Sequence, residues 1–299
     1  MAVSIMVTLT KRYLALLSTT FLPIILLGQP NDSILLRWKI APNENLKYFI
    51  IENQTVIGDS VDNKSNAKVS TQQRTNDTSL NKKAISFKNL FYGPRKSYKG
   101  TDTSLLSLLQ KKKNIISINI ITVGNGLTPL GVDTSTAFAW RRKTPGDTIL
   151  RGSIYDSGAI ESFYTLSSQK NLIALYCQLP DKKLKIGDRW PLEFSYLYFN
   201  DGFICDTSFK KNDITLTDIK KRGNETIAVI TYDIIEYASG TIGGMFIAKE
   251  KVTMKFTYSG VGEFCIEKGR WVSYKATQTT MSDGFIKENS VKNISLLAK

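Results

Sequence analysis

From Thr226 to Tyr237 the chain alternates, with Ala228, Ile230, Tyr232 and Ile234 on one side of an extended backbone and Ile227, Val229, Thr231 and Asp233 on the other. Lys251 to Tyr258 repeats the pattern, setting Val252, Met254, Phe256 and Tyr258 against lysine and threonine. A period of two is what a half-buried strand requires. Turn signals separate the runs. Glu267-Lys268-Gly269-Arg270 leads into a run from Trp271 to Thr280, and Asp283-Gly284 precedes a last one ending at Leu297. Strands joined by tight turns predict an antiparallel meander.

The first half is patterned less cleanly. Ile34–Ile40 and Leu46–Ile57 read as strands around Pro42-Asn43-Glu44-Asn45, an opening hairpin. Ala84–Tyr92 and Asn114–Val123 are strand-like, whereas residues 58–82 have few apolar side chains to hold them on a core and read as a mobile loop. Thr101–Gln110 fits two elements, a helix capped at Thr101, Asp102 or Thr103, or a strand. One helix is predicted at roughly 168–178. Ser167 or Ser168 precedes Leu172, Leu175, Tyr176 and Leu179 at one helical face, and Pro180 stops it. The expected fold is mainly β (α+β), a curved antiparallel meander or partial barrel with one short helix. A faint echo between Pro42–Tyr48 and Gly187–Leu192 suggests two related β lobes, 30–145 and 146–299.

Residues 1–29 have another character. Lys11-Arg12, an apolar run from Tyr13 to Leu27 and then Gly28-Gln29-Pro30 make the order of a secretory signal peptide. The run is shorter than the ~20 residues that span a bilayer, and Pro23 interrupts it. No cysteine stands near the cleavage region to carry a lipid. The expectation is export to the periplasm or beyond, not as a lipoprotein and not as an integral membrane protein once the signal is cleaved.

Composition narrows the chemistry. Of 299 residues, 42% are hydrophobic, enough for a substantial core, and the formal charge is +14, or +12 over the 270 residues after the signal. The cations Lys111-Lys112-Lys113, Arg141-Arg142-Lys143, Lys210-Lys211 and Lys220-Lys221-Arg222 are scattered along the chain and read as solvated turns, with adhesion to an anionic envelope surface as the alternative. No nucleic-acid partner is expected. There is no histidine, which removes the commonest general base and zinc ligand and every Ser-His-Asp arrangement. No catalytic residue, cofactor or metal site is expected. Of the cysteines Cys177, Cys205 and Cys265, the pair Cys205 and Cys265 could form a disulfide in an oxidising compartment, and buried free thiols are the alternative.

The segment Leu179-Pro180-Asp181-Lys182-Lys183-Leu184-Lys185-Ile186-Gly187-Asp188-Arg189-Trp190 resembles a recurring segment of uncharacterised exported β-rich proteins of Bacteroidota, a domain of unknown function. The resemblance runs through Asn212–Asp218, Tyr232–Tyr237, Gly262-Glu263-Phe264 and Lys268-Gly269-Arg270-Trp271, roughly 150–280, and the Gly-Gln signal end agrees with it. It implies a β-rich, envelope-associated architecture and supplies no catalytic residues. In residue terms, Gly187 suits a tight turn, Asp188 a local hydrogen bond and Trp190 a core anchor. Asp32-Ser33-Ile34, Asp59-Ser60-Val61 and Asp147-Thr148-Ile149 look like the O-glycosylation pattern of exported Bacteroidota proteins, which makes Ser33, Ser60 and Thr148 candidate sites.

Asp233 and Glu236 could be offered as a glycosidase pair. Three residues apart in one strand, they point to opposite faces. The leading expectation is thus an exported non-enzymatic envelope protein that binds a lipid, glycan or protein partner in or on a curved sheet. The alternatives are a structural or assembly component of the envelope and a carboxylate-based hydrolase of polysaccharide.

Overall fold

The alternation becomes a single antiparallel sheet. A computed structural model of the chain describes residues 33–57, 97–124, 145–164, 170–197, 202–244, 247–284 and 288–299, all within one unit, Ser33–Lys299. The signal segment, the loop 58–82 with Ser60, the run 84–92 and the cations at 141–143 lie outside the described residues.

The strands are β1 (Asn45–Ile57), β2 (Tyr98–Lys112), β3 (Ile115–Thr122), β4 (Thr148–Tyr155), β5 (Ile160–Tyr164), β6 (Arg189–Trp190), β7 (Phe203–Arg222), β8 (Glu225–Gly244), β9 (Ile247–Cys265), β10 (Arg270–Asp283) and β11 (Glu288–Ala298), with a helix α1 (Lys170–Cys177) between β5 and β6. The order across the sheet is β5-β4-β3-β2-β1-β11-β10-β9-β8-β7-β6. The sheet does not close into a barrel, and its edges are β5 and β6.

Two lobes do not form. β1 and β11 pair from Tyr48 opposite Ala298 to Ile57 opposite Asn289, stitching the first and last strands into one sheet. The boundary proposed at 145/146 falls between β3 and β4, which pair with each other. The opening hairpin also fails. Of Ile34–Ile40 only Ile34 makes a bridge, to Leu184, and the rest crosses the structure outside any strand, burying Leu36, Trp38 and Ile40. Alternation there serves a buried crossing segment, because its polar backbone finds partners other than β1.

Residues 101–110 are strand. On β2, Leu106 and Leu108 are fully buried while Leu109 is exposed, so the four leucines divide between two faces of a sheet, not one stripe of a helix. Pairing with β1 and β3 overrides the local helical reading. The predicted helix is present as α1.

The core lies on one face, called inner here, and α1 packs against it. Even-numbered side chains of β1, β8, β9 and β10 point inward, among them Tyr48, Ile50, Ile230, Tyr232, Phe256, Tyr258, Phe264, Tyr274 and Ala276. At Val272 a β-bulge restores that phase, so Trp271 and Tyr274 both face the core.

The carbonyls at the buried end of α1 need donors. They receive them from aromatic side chains. Trp271 Nε1 donates to Tyr176 O at 2.8 Å, Trp38 Nε1 to Cys177 O at 2.7 Å and Tyr274 OH to Leu175 O at 3.2 Å. Each such bond is worth about 1 kcal/mol net, and leaving a carbonyl orphaned there would cost more. Gly158, at φ +78°, lies under the same end, where a Cβ would stand 1.9 Å from Cys177 O. No larger residue fits that contact.

Candidate functional site

The inner face is occupied by the protein itself. Beyond α1, the stretch 192–197 lies across it. Tyr196 stacks on Phe256 with ring centroids 4.0 Å apart, and Asn171 bonds Ser195 through both its amide atoms. Glu236 is buried beneath, accepting from the backbone N–H groups of Tyr196 and Leu197 at 2.9 Å each and facing Lys210 Nζ at 3.1 Å. Its carboxylate anchors a chain segment, whereas Asp233 stands on the outer face in an ion pair with Lys211. The two carboxylates share no site.

A second inner-face ion pair joins Glu52 of β1 to Lys292 of β11 at 2.9 Å. Burial pulls the Lys292 ammonium down and the Glu52 carboxylate pulls it up, and the net effect is upward. Sequence reasoning missed this pair. The signal was there, since Glu52 continues the inward row Leu46, Tyr48, Ile50, and Lys292 sits between Ser290 and Ile294.

Open volume is found on the outer face instead. A groove of about 720 Å³ crosses β1, β11, β10 and β9, with Asn53, Asn293, Ser295, Lys275, Thr277 and Ser259 among its lining. The strand register explains this concentration. Thr101, Asn53, Asn293, Thr277, Ser259, Asp233 and Asp213 stand opposite one another across seven neighbouring strands, a single polar row on the outer face. Val261, 46% exposed, contributes apolar surface to the lining, together with the buried Tyr232, Ala276 and Ile294.

The row is partly pre-ordered. Thr101 Oγ1 donates to Asn53 Oδ1 at 2.7 Å and Thr277 Oγ1 to Asn293 Oδ1 at 3.0 Å, which leaves both amide nitrogens as donors toward the groove. Among the described residues Lys275 makes neither an ion pair nor a side-chain hydrogen bond. What the arrangement can do is bind, through several directional donors and acceptors and one cation. Among the described residues no three of Cys, Asp and Glu gather as metal ligands, and no helix is long and apolar enough to cross a membrane.

No family model, curated protein or solved structure matches the chain. The groove must therefore be read from its own chemistry.

The other sequence candidates fall elsewhere. Cys205 and Cys265 do not bond. Cys205 stands opposite Gly240 and Cys265 opposite Ile227, thirteen residues apart along β8. At ~3.3 Å per residue that is roughly 40 Å, against the ~6 Å a disulfide allows. All three cysteines are free thiols, Cys205 exposed and the others buried. Ser33 and Thr148 are exposed. Gly187 adopts φ +93° in a turn that Asp188 closes by accepting from Lys185 N at 2.8 Å, and Trp190 is buried against the core. None of these lines the groove.

Proposed function

We propose that the protein is an exported, non-enzymatic envelope protein that binds a glycan along the outer face of its sheet. Of the lipid, glycan and protein ligands considered, a polyhydroxylated chain best suits the groove, because hydroxyl and amide side chains on neighbouring strands offer hydrogen bonds at the spacing of successive strands. The observation that carries the reading is the polar row Asn53, Asn293, Thr277 and Ser259 with Lys275 beside it. The filled inner face argues against a lipid carrier, and Glu236, engaged by two backbone N–H groups, argues against a carboxylate hydrolase. Export rests on the order of charge, apolar run and small residues in 1–29.

The test is a panel of neutral and uronic-acid oligosaccharides titrated calorimetrically against the protein and against Asn293→Ala and Lys275→Ala. Each lost hydrogen bond is expected to weaken binding on the order of tenfold. Lys275→Ala should act mainly on acidic ligands. Undiminished binding in the double variant would place the ligand elsewhere, and a tightly held acyl chain in the native protein would restore the lipid reading.

A further inference from the structure

Two of the cation clusters that stand apart in the sequence, Lys111-Lys112-Lys113 and Lys220-Lys221-Arg222, lie at one end of the fold, whereas Lys210 and Lys211 are mid-strand on β7 and paired with Glu236 and Asp233. An antiparallel sheet returns alternate turns to the same end, and a chain of backbone hydrogen bonds joins them here. Asp156 N donates to Asn114 O at 3.2 Å, linking the β4–β5 turn to the β2–β3 turn. Trp38 N donates to Asp156 O at 2.8 Å, and Lys39 N to Gly269 O at 3.1 Å, which carries the chain to the β9–β10 turn. Ile266 N donates to Thr226 O at 2.9 Å, which reaches the β7–β8 turn. The Arg37 guanidinium bonds Pro180 O and Asp181 O at 2.6 and 2.8 Å, drawing in the turn that bears Lys182 and Lys183.

Most acids of this end are engaged, although Asp181 is exposed beside Lys182 and Glu267 is held by Thr226 and not by a cation. Asp156 faces Arg37, Glu44 faces Arg270, Glu225 faces Lys268 and Glu263 faces Arg222. Among the described residues the side chains of Lys112, Lys113, Lys182 and Lys183 have no partner, and all four are exposed. Beside them stand two exposed apolar side chains, Leu35, 40% exposed, and Ile186, 39% exposed. Leu35 follows Ile34, which pairs with Leu184, so both belong to the turn region of Lys182 and Lys183.

We infer that this end docks on an anionic lipid bilayer surface. Unpaired lysines on separate turn tips present diffuse positive charge to a plane of phosphate headgroups, and Leu35 and Ile186 can enter the interfacial layer beneath. The occupant is the bilayer and not a free phosphate, because the cations form a broad rim with apolar side chains among them. This surface is separate from the outer-face groove, and neither reading depends on the other.

The experiment is co-sedimentation of the purified protein with phosphatidylethanolamine vesicles, with and without phosphatidylglycerol, at low and high sodium chloride. Binding is expected only with phosphatidylglycerol and should fall with salt. The variant Lys112→Glu, Lys113→Glu, Lys182→Glu, Lys183→Glu should partition on the order of a hundredfold less. Lys99→Glu, Lys249→Glu, Lys251→Glu, Lys255→Glu, an equal number of reversals on β2 and β9 from the middle of the sheet toward its opposite end, should partition like the parent. Circular dichroism checks that both variants are folded. Equal loss in the two variants would mean net charge alone attracts the protein and would overturn the docking surface, as would binding independent of phosphatidylglycerol. Release by inorganic phosphate beyond its ionic-strength effect would overturn it in favour of a free-phosphate site. Leu35→Ser with Ile186→Ser, expected to weaken binding severalfold at constant charge, tests the apolar part.

Discussion

Cys177 closes α1 beneath Trp38, fully buried, and burial pushes its thiol well above the ordinary cysteine range. Cys265 is equally buried, whereas Cys205 is exposed on β7. Thiolates do the chemistry of cysteine, and only an accessible one reacts at neutral pH. Alkylation of the folded protein followed by mass spectrometry is therefore expected to label Cys205 alone. Cys177 and Cys265 should react on the order of a thousandfold more slowly, through unfolding. A Cys205–Cys265 bond would instead leave Cys205 unlabelled until reduction. At this scale the sequence was legible wherever alternation decides orientation, as in the opposed faces of Asp233 and Glu236. It could not show that Glu236 anchors residues 196 and 197, since that contact joins segments forty residues apart.

Glu267 shows how neighbouring elements are tied. It stands in the β9–β10 turn and accepts from the Oγ1 and N of Thr226 at the start of β8, clasping two hairpins. The Thr226 hydroxyl, then its backbone N–H, hold the Glu267 carboxyl down at about 2, from an ordinary value of 4.5. A depressed carboxyl stabilises the fold fully above 4.5 and loses that contribution as pH falls toward about 2. The exposed position keeps the effect small. Glu267→Gln should lower the melting temperature slightly at neutral pH, and the gap to the parent should narrow as pH falls from 4.5 to about 2. A constant gap across that range would show that the clasp does not depend on charge. Elements in which period two runs long, β8 to β11, were legible for this reason, and α1 by its spacing and Pro180. β2 was not, because four leucines in five positions satisfy both periods locally and only pairing with β1 and β3 chooses between them. Residues 34–40 misled for a related reason, since alternation reports a chain with one face buried and does not say against what.

At the scale of the molecule, the meander order of β7 to β11 follows from short turns, but the joining of β1 to β11 does not, because no local signal marks a pairing across more than two hundred residues. That pairing decides whether the protein is one body or two. It also builds the groove, whose Asn53 and Asn293 face each other only through it. If the sheet is one cooperative unit, thermal unfolding should give a single calorimetric transition with matching van't Hoff enthalpy. Leu296, buried on β11 between β1 and β10, supplies the decisive substitution. Leu296→Ala removes a core side chain at a cost of about 2–5 kcal/mol, which corresponds to a fall of roughly 5–15 °C for a chain this long. One unit predicts that the whole transition moves together and that the first and last strands lose hydrogen-exchange protection in parallel. Two independent lobes would split the transition and spare β1 to β3. In that case glycan affinity at the groove should fall with the melting of β11 while the strands on the β1 side stay folded, an outcome that the continuous ladder from β5 to β6 forbids.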